Sequence, residues 1–335
     1  MQGLSLYPAD VDGKTGYIDA AGTLIIPPQF DSGGAFHEER ALVANIDPAR
    51  ETDPKTGLYK LQVGFIDAAG NLIAPLEYRY ARHYSEGRAA VFLGTKWGFI
   101  DREGQKVIEP QFSAAWHFSE GVAPVMLGKQ WAVINPSGEV LFEMAASAIG
   151  QCCDGLMPCE AKRQWSYLDR TGAVAFEIDC RAAGEFSEGL AAVLAKGRKA
   201  AQGYIDTTGR WAIEPQFSQA GPFREGLAAV ELFNAGPGKI DFFKPQVFGY
   251  IDRRGKLAFE TTFRYAMEFS DGLAPVKVGE ADEYGYIDVT GAMVIPPIAC
   301  TAAFPFEGEL AEIQDADGES WYINRSGEFV WPLRA

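Results

Sequence analysis

Seven aspartates recur at one position of a repeating hairpin: Asp19, Asp67, Asp101, Asp169, Asp206, Asp252 and Asp288. Carboxylates at regular spacing could ligate calcium, but calcium needs several oxygens converging on one site. Each unit offers one carboxylate, and that carboxylate is already suited to a turn. In a D-x-x-G turn the Asp accepts backbone N–H bonds and the fourth-place glycine supplies a positive φ. Turn chemistry is therefore the better account. A second acidic row, Glu86, Glu120, Glu188, Glu225, Asp271 and Glu307, stands before glycine. It is suited to capping a turn or binding neighbouring backbone N–H groups. An active site needs a residue once, so recurrence in most units argues for a structural part. The same logic removes Ser119 and Ser187 as nucleophiles and the Phe and Trp rows as cofactor boxes.

The remaining reactive side chains are few. His83 and His117 occupy the same slot of neighbouring units, before Tyr84 and Phe118, and His37 falls one slot later, after Phe36. They could share a surface and hold a metal; partly exposed connecting residues are the plainer reading. Cys152, Cys153, Cys159 and Cys180 lie close together and Cys300 lies apart, with no C-x-x-C. Adjacent cysteines are a poor start for tetrahedral zinc, and an odd, sparse set is no disulfide scaffold. They read as small apolar core residues in a reducing compartment. No G-x-S-x-G, P-loop, G-x-G-x-x-G or H-E-x-x-H occurs. The expectation is a protein without enzymatic activity, cofactor or metal.

The elements that must position these residues form one sentence, repeated. Its fullest copy runs over 96–112: Lys96-Trp97-Gly98-Phe99-Ile100 as a strand, Asp101 to Gly104 as a turn, then a second strand through Ile108 to Pro110 and Phe112. Proline cannot donate to a ladder and ends the pairing. Copies begin at Gly16, Gly64, Gly98, Ala132, Ser166, Gly203, Gly249, Gly285 and Trp321. The shortest spacing is 34 residues, and a recurrent period of this size means an array of supersecondary units. A short strand such as Leu190-Ala191-Ala192-Val193 precedes each hairpin, so each unit reads as a three-stranded antiparallel meander with a crossover of roughly ten residues. The first strand is expected from Leu4-Ser5-Leu6-Tyr7. Helix signals are nearly absent; the best stretch, 143–149, is poor. Two insertions interrupt the period, 45–61 and 233–247, and the stretch 144–159 loses the usual signatures, as a bend in the array would. The array fills 1–335 as one domain.

Composition agrees. High Gly (37) and Pro (19) suit many turns, while 22 Phe, 13 Tyr and 7 Trp exclude low-complexity disorder. A net charge of −15 would repel nucleic acid and anionic membranes. No 18-residue apolar run is present, so no membrane insertion is expected. The N-terminus lacks a basic n-region and an apolar h-region, which points to the cytoplasm, or to the periplasm if a leader has been removed.

Trp97-Gly98-Phe99-Ile100-Asp101 with Gly104, Ile108, Pro110, Phe112, Phe118, Ser119, Glu120 and Gly121 resembles the bacterial WG-repeat family, and the resemblance runs through all nine copies. Only Trp97-Gly98 keeps the full dipeptide; Trp131 and Trp165 precede Ala132 and Ser166, and Trp321 takes the Gly slot itself. The resemblance implies an all-β tandem-repeat scaffold used for interaction, with no catalytic residues to carry over. Variable repeat number in such a family favours an open, solenoid-like stack of nine units; the alternative is a β-propeller with the meanders as blades. The function expected is non-enzymatic protein binding, in its concrete form immunity against a basic toxin or effector. The alternative is binding of carbohydrate or cell envelope. Contact residues are expected where the chain departs from the repeat, in the two insertions: Arg50, Lys55, Tyr59, Phe233, Lys239, Phe242 and Phe243.

Overall fold

The computed structural model describes residues 5–47, 49, 52, 60–197, 201–236, 238–239, 241 and 244–332. Of the seven expected contact residues, Arg50, Lys55, Tyr59, Phe242 and Phe243 lie outside the described residues.

The described residues are all β, with no helix, and form nine small antiparallel sheets. In chain order we call these blades 1 to 9: 7–30, 32–78, 80–112, 114–144, 148–178, 180–217, 219–251, 265–299 and 302–331. The fold class is all-β, nine small antiparallel sheets of the β-propeller blade type, the alternative architecture. The meander was read one strand short. The crossover itself contributes a two-residue strand in most blades, such as Ala114–Ala115 against Val125 and Met126, so seven of the nine sheets have four strands. Two residues of small side chain carry almost no strand signal, which is why 34 residues looked too few for a blade. The chain divides into two compact units: Met1–Cys152 with Arg170–Gly172, and Cys153–Asp169 with Ala173–Ala335.

Local chemistry explains the hairpin. Asp101 Oδ1 accepts from the Glu103 and Gln105 N–H groups at 3.1 and 2.8 Å, while Gly104 has φ +76°. The turn reading of the aspartate row holds at Asp19, Asp67, Asp206, Asp252 and Asp288 in the same way. The Gly98 slot has a different cause. The pairing of Lys96–Ile100 with Lys106–Phe112 slips between Trp97↔Phe112 and Phe99↔Ile108. That bulge, at Pro110, brings the outer strand so close that a Cβ on Gly98 would sit 2.5 Å from the Ile108 carbonyl oxygen. Gly16, Gly64, Gly203 and Gly285 meet the same approach. Blades 4 and 5 put Ala132 and Ser166 in this slot, and their outer strands, Val140–Met144 and Val174–Ile178, have no proline and pair in register with Trp131 and Trp165. In these two blades the glycine and the proline are lost together, and 144–159 ends blade 4 and begins blade 5 with ordinary strands.

The core lies between neighbouring blades. In the first unit, Phe99, Phe112 and Phe118 pack with Ala123, Val125 and Ile134; in the second, Tyr286 and Phe306 pack with Ile295, Ile313 and Ile323. Phe118 and Phe306 are wholly buried, and each such ring contributes about 3 kcal/mol or more. Buried Tyr hydroxyls are not wasted: Tyr84 donates to the Asp101 carbonyl, Tyr204 to Gly221 and Tyr250 to Met267, each at 2.7 Å. Burial pushes all three phenols far above their ordinary value. Cys152, Cys159, Cys180 and Cys300 are buried and Cys153 is half-buried, none of them in a disulfide. Burial pushes Cys152 up to about 12 and Cys159 and Cys180 up to about 11, so these thiols stay protonated. The first strand runs Tyr7–Val11, further along than expected.

Candidate functional site: an acidic cavity in the second unit

The second acidic row joins blades. Glu86, Glu120, Asp154, Glu188, Glu225 and Asp271 all hold φ between 51° and 54°, which turns each carboxylate toward the next blade. Glu86 accepts from the Gly121 N–H at 2.8 Å, Asp154 from Gly189 at 2.7 Å, Glu188 from Gly226 at 3.0 Å, Glu225 from Gly272 at 3.0 Å and Asp271 from Gly308 at 2.7 Å. Beside them, Ser85, Ser119, Ser187 and Ser270 donate their hydroxyls to carbonyls of the following blade at 2.6–2.7 Å. Arginines clamp alternate rungs: Arg102 on Glu38, Arg170 on Glu120, Arg253 on Glu188 and Arg325 on the Asp271 carbonyl. The expected backbone-binding role of the acidic row is what the structure shows, with the partner one blade away.

Variation sits in the slot just before the buried aromatic. In the first unit His83 and His117 fill it, and His37 joins them. Their rings stack in series, with centroids 4.1 and 3.9 Å apart and planes 25° off parallel. Stacked faces do not bring ring nitrogens to one point, so this is no tetrahedral metal site. Partial burial, then the neighbouring His117, His37 and Arg82, lower the His83 pKa to about 4; burial also lowers His117. Arg82 lies over Trp116 at 4.3 Å and Trp97 at 5.6 Å, and donates from Nε to the Ala115 carbonyl.

In the second unit the same slot carries Glu185, Pro222, Glu268 and Pro305. Here the structure opens a cavity of about 690 Å³. Six carboxylates line it, Glu188, Glu225, Glu268, Asp271, Glu307 and Glu312, against one guanidinium, Arg224. Three of the six are already held as blade rungs. Glu312 is held by Gln314 and Ser320. Glu268 has no hydrogen-bond partner among the described residues. Phe304, 37% exposed, and Pro305 supply an apolar wall. A second cavity of about 280 Å³ shares Met267 and Glu268 with the first and reaches Gln202, Glu231, Phe248 and Tyr265. Carboxylates beside exposed aromatic faces are suited to cationic groups.

The insertions are placed less simply than expected. At the first insertion the described ends pair, Asn45 with Gln62 and Ile46 with Leu61. In 233–247, Phe233 is half-buried and Lys239 is exposed in a turn donating its N–H to the Gly236 carbonyl. Asn234 pins this segment by donating to the Asp241, Lys244 and Pro245 carbonyls and accepting from the Asp241 N–H. Neither Phe233 nor Lys239 lines either cavity. Sequence reasoning passed over Glu231 and Glu268. The signal for Glu231 was a charge in an apolar strand, Leu227-Ala228-Ala229-Val230-Glu231-Leu232. Glu268 is hidden, because Glu at an exposed connection is unremarkable.

Among solved structures, the chain is similar to one described as the crystal structure of the eukaryotic initiation factor, with TM-score 0.67 and 10% identity over 97% of this chain and 95% of that one. At this identity the likeness is one of fold. Hsv2p from Kluyveromyces lactis (TM-score 0.46, 7% identity, 73% of this chain and 92% of that one) and a streptogramin B lyase (0.38, 12%, 72% and 89%) align more loosely and carry no argument. No curated protein matches the chain. The model of the WG containing repeat matches seven stretches, 16–45, 64–97, 97–131, 165–198, 203–232, 248–280 and 284–317. The hairpins at Ala132 and Trp321, outside those matches, form the same strand pairs, 130–134 with 140–144 and 320–324 with 329–331. The chain belongs to the WG containing repeat family.

Proposed function

We propose that the chain is a non-enzymatic scaffold that binds a basic protein through the acidic cavity of its second unit. The observation that carries this reading is the imbalance of six carboxylates to one guanidinium around about 690 Å³, with Glu268 left without a partner and Phe304 exposed beside it. Repeat arrays offer broad surfaces to partners, and complementary charge speeds and selects encounter. The finer form is immunity: an acidic protein covering a basic toxin or effector. A net charge of −15 supports it, and a cytoplasmic setting is part of the proposal. The recurrent carboxylates are used in the fold, which argues against an enzymatic role for them.

The test is capture from the native host with the intact chain and with Glu268→Lys, both shown to melt alike. The reading expects a basic partner, released by salt, and at least tenfold less captured by the variant. Equal capture by both would overturn it. For the immunity form, co-expression of the chain must relieve growth arrest caused by that partner, and unrelieved arrest would reject that form.

A further inference from the structure

Glu231 is the exception among the buried residues. Only Thr15 and Glu231 are buried polar or charged residues among those described, and Glu231 is 4% exposed. Its backbone carbonyl accepts from the Ser218 N–H and hydroxyl, but its carboxylate has no hydrogen-bond or ion-pair partner among the described residues. Its strand, Ala228–Glu231, alternates as strands do: Ala228 and Val230 join the core with Tyr204 and Phe223, while Ala229 packs on the Phe248 and Phe269 side. Ala229 and Glu231 thus share a face, and both line the cavity of about 280 Å³. The equivalent slot holds Phe92, Met126 and Leu194 in three other blades and Glu160, Lys277 and Gln314 in three more, all half-buried, so Glu231 stands apart by its burial. A carboxylate buried this far is destabilising unless something pairs with it.

The surroundings say what that something is. Tyr265, 39% exposed, stands at the cavity with its ring edge-on to Phe248 at 5.6 Å, which fixes it as a ledge. Gln202 Oε1 accepts from the Ala220 N–H at 2.7 Å, which anchors that wall. Glu268 brings a second carboxylate without a partner to the rim shared with the larger cavity. At roughly 30 Å³ per water, the space equals about nine waters, enough for one side chain. A planar guanidinium forks onto a carboxylate and stacks on an aromatic face, whereas a compact ammonium does neither as well.

We propose that this cavity is a guanidinium site, with Glu231 as its buried counter-charge and Tyr265 as its stacking ledge. The group can come from an arginine side chain of a partner or from a free guanidinium compound. The site rests on the scaffold reading only for the choice between those sources.

The probe is N-acetyl-argininamide, titrated into the full chain by calorimetry and followed by its stabilisation on melting. N-acetyl-citrullinamide, neutral and of the same shape, is the control. One saturable site for the arginine probe is expected, with at least tenfold weaker binding of citrulline. Glu231→Gln should weaken the arginine probe at least tenfold and melt above the parent, since an unpaired buried charge is gone. Tyr265→Ala, an exposed position, should weaken it at least threefold at unchanged melting temperature. Binding through a short arginine peptide but not the free amide assigns the source to a partner chain; binding of the free amide alone assigns a small molecule; in both, Glu231→Gln must abolish it. Absence of binding by both the amide and the peptide, equal binding of citrulline, or indifference to both substitutions overturns the site. Capture that ignores Glu268→Lys while arginine still needs Glu231 overturns the scaffold reading alone.

Discussion

The same slot before the buried aromatic holds His83 and His117 in the first unit and Glu268 in the second, on the same frame. Tyr84, Phe118 and Phe269 after it are all buried. The rungs beside it are the same too: Glu86 to Gly121 at 2.8 Å, Glu225 to Gly272 at 3.0 Å. What differs is how the slot is completed. The histidines stack on one another, and His117 Nδ1 is buried without a hydrogen-bond partner among the described residues. Glu268 faces a cavity and other carboxylates, and the nearby Glu231 is buried without a counter-charge. The frame residues recur because each blade needs them, whereas the slot residues differ from blade to blade.

If the frame is common, breaking it must cost alike in both units. The largest effect is expected at Gly104, where a Cβ would lie 2.0 Å from the Ile73 carbonyl oxygen at φ +76°. Gly104→Ala should cost about 4 kcal/mol or prevent folding, whereas Gly121→Ala, at φ +78° with nothing within 4 Å of its Cβ, should cost about 1 kcal/mol. Urea denaturation gives both values. Next come Phe118→Ala and Phe306→Ala, each expected to lose about 3–5 kcal/mol. A large difference between these two would break the idea of one frame. Smaller again, Glu86→Gln and Glu225→Gln should each lose roughly 1 kcal/mol as a charged acceptor becomes neutral.

Acid separates the units. All three histidines belong to the first. His83, lowered to about 4, stays neutral in the fold while the unfolded chain takes up a proton near 6.5. Its contribution is therefore complete above 6.5 and falls away as pH drops from 6.5 towards 4. His83→Phe keeps a stacking ring and cannot titrate, so its melting temperature should change less across that window. The aspartates of the turns act lower. Asp206 and Asp288, held down first by their Thr208 and Thr290 hydroxyls, keep their contribution until pH falls below the ordinary carboxylate value near 3.8.

Much of this frame was legible. Nine repeat turns, seven D-x-x-G and two N-x-x-G, the acidic row and the buried aromatics repeat in register, and repetition makes short signals strong. The two-residue strands, such as Ala114–Ala115, were not legible, because two small residues have neither period nor propensity. Gly98 and Pro110 were read as separate punctuation, although blades 4 and 5 lose both together; the bulge that links them is a tertiary approach. The site was the hard part. The insertions stand out by length; of their expected contact residues Phe233 and Lys239 are described, and they line neither of the two cavities above. Glu268 and Glu231 lie inside regular units, where only their surroundings set them apart.

The central claim is that the frame is shared and binding belongs to the acidic slot of the second unit. The direct test is an exchange in that slot, His117→Glu against Glu268→His, read as capture of the basic partner by chains of equal melting temperature. Full capture is expected of His117→Glu, and at least tenfold less of Glu268→His. Loss of capture in the first with retention in the second would contradict it.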